Sequence, residues 1–105
     1  MNNIRLSYYD LHAIKLLFRK YFLPNDGLWV FGSRTDPNRK GGDIDLYVET
    51  NADTTDEAIK MKLSFLSSLE EEIGEQKTDL VLNMIKAPHH LLIYDVAKNN
   101  GIKII

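Results

Sequence analysis

The sequence predicts a single α/β domain in which a small sheet of three to four strands is flanked by helices. Three observations support this fold class. The chain has 105 residues, which suffices for one domain, residues 1–105, with a modest core. Apolar runs of strand length occupy residues 28–31, 43–48 and 78–84. Longer segments around these runs carry apolar residues at three- and four-residue steps, which is typical of amphipathic helices.

The first two helices are predicted from their caps and apolar stripes. The first runs from Ser7 to about Phe22, and Asp10 three residues after Ser7 indicates a capping box. The second opens on the same signal at Thr54 and ends at Gly74. The predicted apolar stripe of the first helix is Leu11, Ile14, Phe18 and Tyr21. The predicted stripe of the second helix is Ile59, Leu63, Leu66, either Leu69 or Glu70, and Ile73.

The remaining elements follow from turn and breaker residues. Residues 24–27, Pro-Asn-Asp-Gly, break the chain before the first strand. Residues 78–84 form the third strand. The last helix begins near Pro88, has its body at residues 91–97 and ends at Asn100 and Gly101. Residues 102–105 then add a short edge strand.

The chemistry-bearing residues are three acids and a glycine-serine turn. Because side chains alternate along a strand, Asp43 and Asp45 project to the same face. Their backbones lie about 6 to 7 Å apart, so both carboxylates can bind one hard cation such as Mg²⁺. Asp79 begins another apolar run that can lie alongside. Gly32 and Ser33 end a strand in a turn whose N–H groups suit phosphates. This pattern predicts a site for nucleotide chemistry.

Residues 34–42 are rich in turn formers and place positive charges beside the acids. Gly42 lets the backbone approach a ligand closely, and Arg34 follows the turn directly, which favours a phosphate contact. Both are therefore expected to be nucleotide-binding residues, together with Gly32 and Ser33. For Arg39 and Lys40, a solvated surface loop and a phosphate contact remain equally open.

In their order, the glycine-serine turn, the Asp-x-Asp pair and the third acid resemble the polymerase-β-type nucleotidyltransferase fold. The sequences Phe-Gly-Ser-Arg at residues 31–34 and Asp-Ile-Asp-Leu at residues 43–46 resemble those of its minimal nucleotidyltransferase branch. The resemblance extends to the final helix and glycine, and so covers nearly the whole chain. It implies a mixed sheet and the transfer of a nucleoside monophosphate from a triphosphate to a hydroxyl.

The resemblance also implies roles for the site residues. Asp43 and Asp45 would bridge two Mg²⁺ ions, and Asp79 would complete the shell of the ion beside the acceptor hydroxyl and help to accept its proton. Gly32 and Ser33 would bind the β- and γ-phosphates. Two departures from relatives bear on this binding: Asp36 stands where a basic residue is common, and Gly42 where serine is common. Whether either change weakens triphosphate binding stays open from the sequence, and neither removes a predicted metal ligand.

Members of the minimal branch are commonly encoded beside a HEPN-domain protein, a helical ribonuclease toxin, and act as its antitoxin. Some transfer AMP to a tyrosine of that toxin. The resemblance therefore implies an antitoxin that uses ATP and Mg²⁺ and forms a hetero-oligomer with its toxin. A domain of 105 residues also has little room to enclose a small acceptor, so an acceptor surface from a partner or a second copy is expected.

Three other functions remain open. They are silencing of the partner by binding and occlusion without catalysis, modification of a small molecule of the aminoglycoside type, and addition of nucleotides to an RNA end. The net charge of −2 disfavours nucleic acid as a partner, because nucleic-acid binding normally needs a basic face. The absence of cysteine excludes a disulfide, a thiol nucleophile and a Cys-ligated zinc. No signal-type or membrane-spanning run is present in the sequence, so a cytoplasmic protein is expected.

Each candidate also has a purely structural interpretation. Asp43 and Asp45 are compatible with the wet face of an ordinary strand, and Asp79 with local backbone capping. Tyr47 shares the face of the two acids, but an aromatic residue at strand spacing more often packs than lines a pocket. His89 and His90 are adjacent and point in different directions, which favours surface histidines over a metal pair.

Overall fold

The computed structural model describes residues 4–39, 42–74, 76–87 and 90–105. Within these residues it contains three α-helices, four strands and one short 3₁₀ turn, so the predicted fold class is confirmed. The elements in chain order are α1 (Tyr8–Tyr21), β1 (Gly27–Phe31), the 3₁₀ turn Gly32–Thr35, β2 (Ile44–Thr50), α2 (Thr55–Ile73), β3 (Thr78–Met84), α3 (Leu92–Asn100) and β4 (Ile102–Lys103).

The four strands form one mixed sheet in the order β3-β2-β1-β4. β1 pairs antiparallel with both β2 and β4, which confirms the predicted edge strand at the end of the chain. β2 and β3 pair in parallel. A parallel pair needs a long crossover connection, and the 19-residue helix α2 supplies it.

The two faces of the sheet carry cores of different size. On one face, fully buried aliphatic side chains of the strands, among them Leu46 and Val48, pack against α1 and α2 through Phe18 and Phe65. On the other face, α3 places Tyr94 in a smaller cluster with strand residues. Because α3 has only nine residues, it covers only part of this face, and the predicted site lies on the remainder.

Local capping follows the sequence closely. Ser7 Oγ accepts from Asp10 N–H at 3.0 Å, and Thr54 Oγ1 accepts from Glu57 N–H at 3.1 Å. Gly74 ends α2 with φ +86°, as expected for a C-terminal glycine. The capping box is incomplete in one respect. The Asp10 carboxylate accepts from Gln76 Nε2 at 2.9 Å, so it ties α1 to the chain entering β3.

In the predicted stripe of α1, Ile14, Phe18 and Tyr21 pack in the main core, whereas Leu11 is half-buried outside it. The predicted stripe of α2 is partly wrong. Ile59 and Leu63 are 46% and 60% exposed, whereas Phe65 and Leu69 are buried. Several apolar positions on α2 fit a helical spacing, and only its crossing against α1 and the sheet decides which of them are covered.

The predicted start of the last helix near Pro88 is wrong, because α3 begins at Leu92 after an extended N-cap residue, Leu91. Pro88 itself, the candidate metal residue His89 and the cationic Lys40 lie outside the described residues. None of the described helices is long and apolar enough to span a membrane.

Candidate active site

Two of the three acids stand side by side on neighbouring strands. In the parallel pairing of β2 with β3, Asp45 is the direct partner of Asp79. Residues opposite each other in a sheet project to the same face, and neighbouring strands lie about 4.8 Å apart. The structure therefore brings together two carboxylates that the sequence separates by the whole of α2. Asp45 is half-buried, whereas Asp79 is exposed.

The third acid, Asp43, immediately precedes β2 at the open end of the site. Its side chain is 47% exposed, and Asp43 Oδ2 lies 3.7 Å from Lys77 Nζ. The backbone closes this end of the strand pair, because Ile44 N–H donates to the Lys77 carbonyl at 2.9 Å. Ile44 is fully buried and Asp45 is not, so the alternation predicted for Asp43 and Asp45 is present.

Electrostatics at this cluster favour a cation. Burial raises the pKa of Asp45, and the neighbouring charges of Asp79 and Asp43 raise it further, while Lys77 acts in the opposite direction. The carboxylate oxygens of these three acids are donors that Mg²⁺ prefers, so the donor set fits the implied metal. In the described residues, no three acidic, histidine or cysteine side chains are already gathered around one point suited to a metal.

Gly32 links the phosphate-type turn to the acids. Its φ is +74°, and a Cβ built there would collide with Asp45 Oδ2. Phe31, the residue before it, pairs in register with Asp45. The backbone of the turn therefore lies directly against this carboxylate, and any residue other than glycine would be both strained and obstructed.

Ser33 and Gly42 form the second contact between the turn and the acids. Ser33 Oγ donates to the Asp43 carbonyl at a long 3.4 Å. Gly42 has φ +91°, and a Cβ at this position would collide with Ser33 Oγ. A side chain at this position would be strained by the positive φ and would have to displace the side chain of Ser33.

Arg34 lies within the Gly32–Thr35 turn, and its side chain contacts other parts of the protein. Its guanidinium is engaged by protein acceptors: Nη1 donates to the Arg5 carbonyl at 2.8 Å, and Nη2 donates to the Gly42 carbonyl at 3.1 Å and Gln76 Oε1 at 3.3 Å. Both terminal nitrogens thus bind the protein itself. The phosphate contact predicted for this side chain stays a prediction.

With this geometry in place, the comparisons decide the family. The sequence pattern of the family described as Nucleotidyltransferase domain matches residues 12–104, which is most of the chain. The chain belongs to this family. The match includes all the predicted site residues and the entire sheet up to Lys103. Membership supports nucleotidyl transfer in general. The family usually uses a nucleoside triphosphate as substrate and a divalent metal ion as cofactor. The search of curated proteins found no match.

Tyr47 of this nucleotidyltransferase packs and does not line a pocket, as predicted. It is 1% exposed and lies between Trp29 and Tyr94, with ring centroids 5.2 Å and 6.0 Å away. Its hydroxyl donates to Glu49 Oε2 at 2.8 Å and accepts from Asn83 Nδ2 at 2.9 Å. Burial raises the pKa of Tyr47 to about 12.

Other candidate residues of the nucleotidyltransferase serve local structure. The Asp36 side chain accepts from Asn38 N–H at 2.9 Å and so stabilises the loop after the 3₁₀ turn. Arg39 is exposed. His90 contacts the Asp95 carboxylate at 3.0 Å on the surface, which agrees with the prediction of a surface histidine.

Three residues near the nucleotidyltransferase site were not predicted from the sequence: Arg5, Gln76 and Lys77. Lys77 carries the one available signal, because it stands at the start of the run that contains Asp79. Arg5 and Gln76 carry none, since neither lies in a motif and both reach the site only through the folded chain.

Proposed function

We propose that this nucleotidyltransferase domain transfers AMP from ATP to a hydroxyl of a partner protein, a tyrosine of a HEPN-type ribonuclease toxin, and thereby neutralises that toxin. The observation that carries the proposal is the placement of Asp45 beside Asp79, with Asp43 at their open end and the backbone of Gly32 against Asp45. This arrangement combines metal-type donors with a phosphate-type turn. The antitoxin role is supported by the sequence resemblance.

The proposed reaction forms a bond between the acceptor oxygen and the α-phosphorus while the bond from that phosphorus to the bridging oxygen breaks. Pyrophosphate leaves, and the hydroxyl proton passes to Asp79. Asp43, Asp45 and Asp79 would hold Mg²⁺, which would neutralise charge on the reacting phosphates. The N–H groups of the Gly32–Thr35 turn would bind the β- and γ-phosphates and hold them in line.

The open form of the site supports a protein as acceptor. Asp43 and Asp79 are both exposed, and the nine-residue helix α3 leaves the acid end of its sheet face uncovered. A small acceptor bound here would have little surface around it, whereas a protein brings its own surface to the site.

The decisive experiment incubates the chain with Mg²⁺, the candidate toxin and ATP labelled at the α-phosphate. We expect label on the toxin, none from ATP labelled at the γ-phosphate, and loss of ribonuclease activity. The variant with Asp43→Asn and Asp45→Asn should transfer no label. A matched control with Glu70→Gln and Glu71→Gln removes the same charge from two exposed positions on α2 and should remain active.

Two results would contradict the proposal. If neither the wild type nor the double Asp→Asn variant transfers label, and the variant still binds and silences the toxin, the domain acts by occlusion. If RNA or an aminoglycoside is labelled in preference to the toxin, the reaction is nucleotidyl transfer to another class of acceptor.

A further inference from the structure

We propose that Arg5 and Arg34 are positioning residues that clamp the Gly32–Thr35 turn, and that neither side chain contacts the triphosphate. The inference rests on the proposed function, because it concerns the turn that would bind the phosphates. It assigns a role to Arg5, which lies outside the matched part of the family, and gives Arg34 a role different from the one that its place in the motif favours.

Each of the two arginines donates a hydrogen bond to the backbone carbonyl of the other. Arg5 N–H donates to the Arg34 carbonyl at 2.7 Å, and Arg34 Nη1 donates to the Arg5 carbonyl at 2.8 Å. The chain before α1 is thereby fixed against the turn, although 28 residues of sequence (34 minus 6) lie between the two partners.

The side chain of Arg5 binds the carbonyls of the turn. Arg5 Nη2 donates to the Ser33 carbonyl at 2.8 Å, and Arg5 Nε donates to the Asp36 carbonyl at 2.7 Å. In a trans peptide the carbonyl and the following N–H point in opposite directions. Holding the Ser33 carbonyl on the Arg5 side therefore turns the next N–H, that of Arg34, away from Arg5. The clamp sets the orientation of an N–H group in the turn.

The side chain of Arg34 extends the clamp to the acids. Its Nη2 donates to the carbonyl of Gly42, the residue before Asp43, and to Gln76 Oε1. Gln76 in turn donates to Asp10 of α1 at 2.9 Å. Arg34 Nε is enclosed and has no hydrogen-bond partner among the described residues. The guanidinium is partly buried, and each terminal nitrogen donates to at least one protein acceptor, which favours a positioning role over a phosphate contact.

The geometry requires arginine at both positions. A planar guanidinium donates to several acceptors at fixed angles, whereas a lysine ammonium is a point charge on a flexible stem. Lysine would preserve a charge contact with phosphate but would lose the clamp. The clamp and a direct phosphate contact therefore predict different outcomes for Arg→Lys substitutions.

The test compares Arg5→Lys, Arg34→Lys and the double variant with an Arg39→Lys control, which changes an exposed arginine of the same loop. Hydrogen exchange measured by mass spectrometry on the full chain reports the turn without requiring catalysis. We expect each single clamp variant to speed exchange in residues 32–39 about tenfold and to raise the KM for ATP about tenfold. The double variant should be scarcely worse than either single one, because both break one network. The KM for the acceptor and exchange in β3 should not change.

Other results overturn the inference. If Arg5→Lys behaves like the wild type while Arg34→Lys loses ATP affinity with normal exchange, Arg34 contacts the triphosphate. If the clamp variants fail to fold, Gln76→Met removes the distal partner of Arg34, together with the bond from Gln76 to Asp10; unchanged exchange in that variant would also contradict the clamp. If exchange responds as expected but the wild type transfers no nucleotide, the clamp stands and the proposed function fails.

Discussion

Gly32 shows how one residue joins the phosphate-type turn to the acids. It combines a positive φ with a backbone that lies against Asp45. Gly74 at the end of α2 has a similar φ of +86°, but a Cβ added there would have no atom within 4 Å. Substitutions at these two glycines therefore distinguish the effect of backbone strain from the effect of a side chain that obstructs the site.

Gly32→Ala is expected to abolish AMP transfer and to lower the free energy of unfolding by about 1–2 kcal/mol, the cost of a left-handed alanine. Gly74→Ala should lose at least as much stability, because φ +86° with ψ −164° is a conformation almost exclusive to glycine, but it should retain activity, because nothing crowds its Cβ. Urea unfolding and transfer of α-labelled AMP measure the two effects. Equal activity in both variants would show that the contact of Gly32 with Asp45 is unimportant.

Gly42→Ser introduces the residue that relatives often carry, and we expect it to impair this protein. The new side chain would enter at φ +91° and meet Ser33 Oγ. Displacement of Ser33 should raise the KM for ATP about tenfold, which corresponds to about 1.4 kcal/mol of binding free energy. A Gly42→Ser variant with improved KM would indicate that the loop before Asp43 readjusts in this chain.

Helix α3 and the strands beneath it form the smaller core, in which a tyrosine hydroxyl is held by polar neighbours. The hydroxyl of Tyr47 connects Glu49 of β2 with Asn83 of β3, and its ring supports Tyr94 of α3. This cluster lies on the same sheet face as the acids. It supports the strands that carry Asp45 and Asp79, and we expect it to act through stability.

Tyr47→Phe should lower the free energy of unfolding at pH 8 by about 1 kcal/mol, because Asn83 loses an acceptor. The difference in the free energy of unfolding between Tyr47→Phe and the wild type should narrow as the pH rises from 10 towards about 12. Burial raises the pKa of Tyr47 from 10.0 to about 12, so in this range the unfolded chain releases a proton that the folded chain keeps, and wild-type stability falls.

Urea unfolding between pH 8 and pH 11 measures this slope. Tyr8→Phe is the matched control, because the ring of Tyr8 is 94% exposed, and its curve should parallel that of the wild type. Parallel curves for wild type and Tyr47→Phe would contradict the assigned effect of burial.

The whole molecule concentrates negative charge at one end of one sheet face. The parallel crossover through α2 brings Asp79 beside Asp45. Burial is the largest cause of the raised pKa of Asp45, and the charges of Asp79 and Asp43 raise it further. Without a cation, three carboxylates share this end, and Lys77 is the cation that pairs with Asp43 among the described residues. The folded chain is therefore expected to respond to a divalent cation.

Addition of Mg²⁺ should raise the Tm of the wild type by a few degrees, because an ion that binds only the folded chain stabilises it. In Asp45→Asn this increase should be absent, and the metal-free variant should melt higher than the metal-free wild type, since repulsion is relieved. Thermal unfolding with and without Mg²⁺ measures both, with Glu71→Gln as the control on α2. An equal response of all three proteins would argue against a metal site at Asp45.

Much of the fold was predictable because its signals are local. Ser7, Thr54 and Gly74 cap helices through bonds to residues a few positions away, and the alternation of Ile44 with Asp45 is a property of any strand with one buried face. The order of the motifs led to the family. Their individual roles as catalytic, nucleotide-binding or metal-binding residues stay predictions.

Tertiary structure decided the contacts between segments distant in the chain. Three features depend on which surfaces meet. Asp45 pairs with Asp79, and the Arg34 guanidinium donates to Arg5 and Gln76. On α2, Phe65 is buried and Leu63 is exposed. Periodicity identifies an apolar stripe but not its exact centre, and a motif places an arginine beside a site but not the acceptors that its guanidinium finds. Local sequence specifies backbone conformation and caps, whereas long-range packing and hydrogen bonding determine where each side chain points.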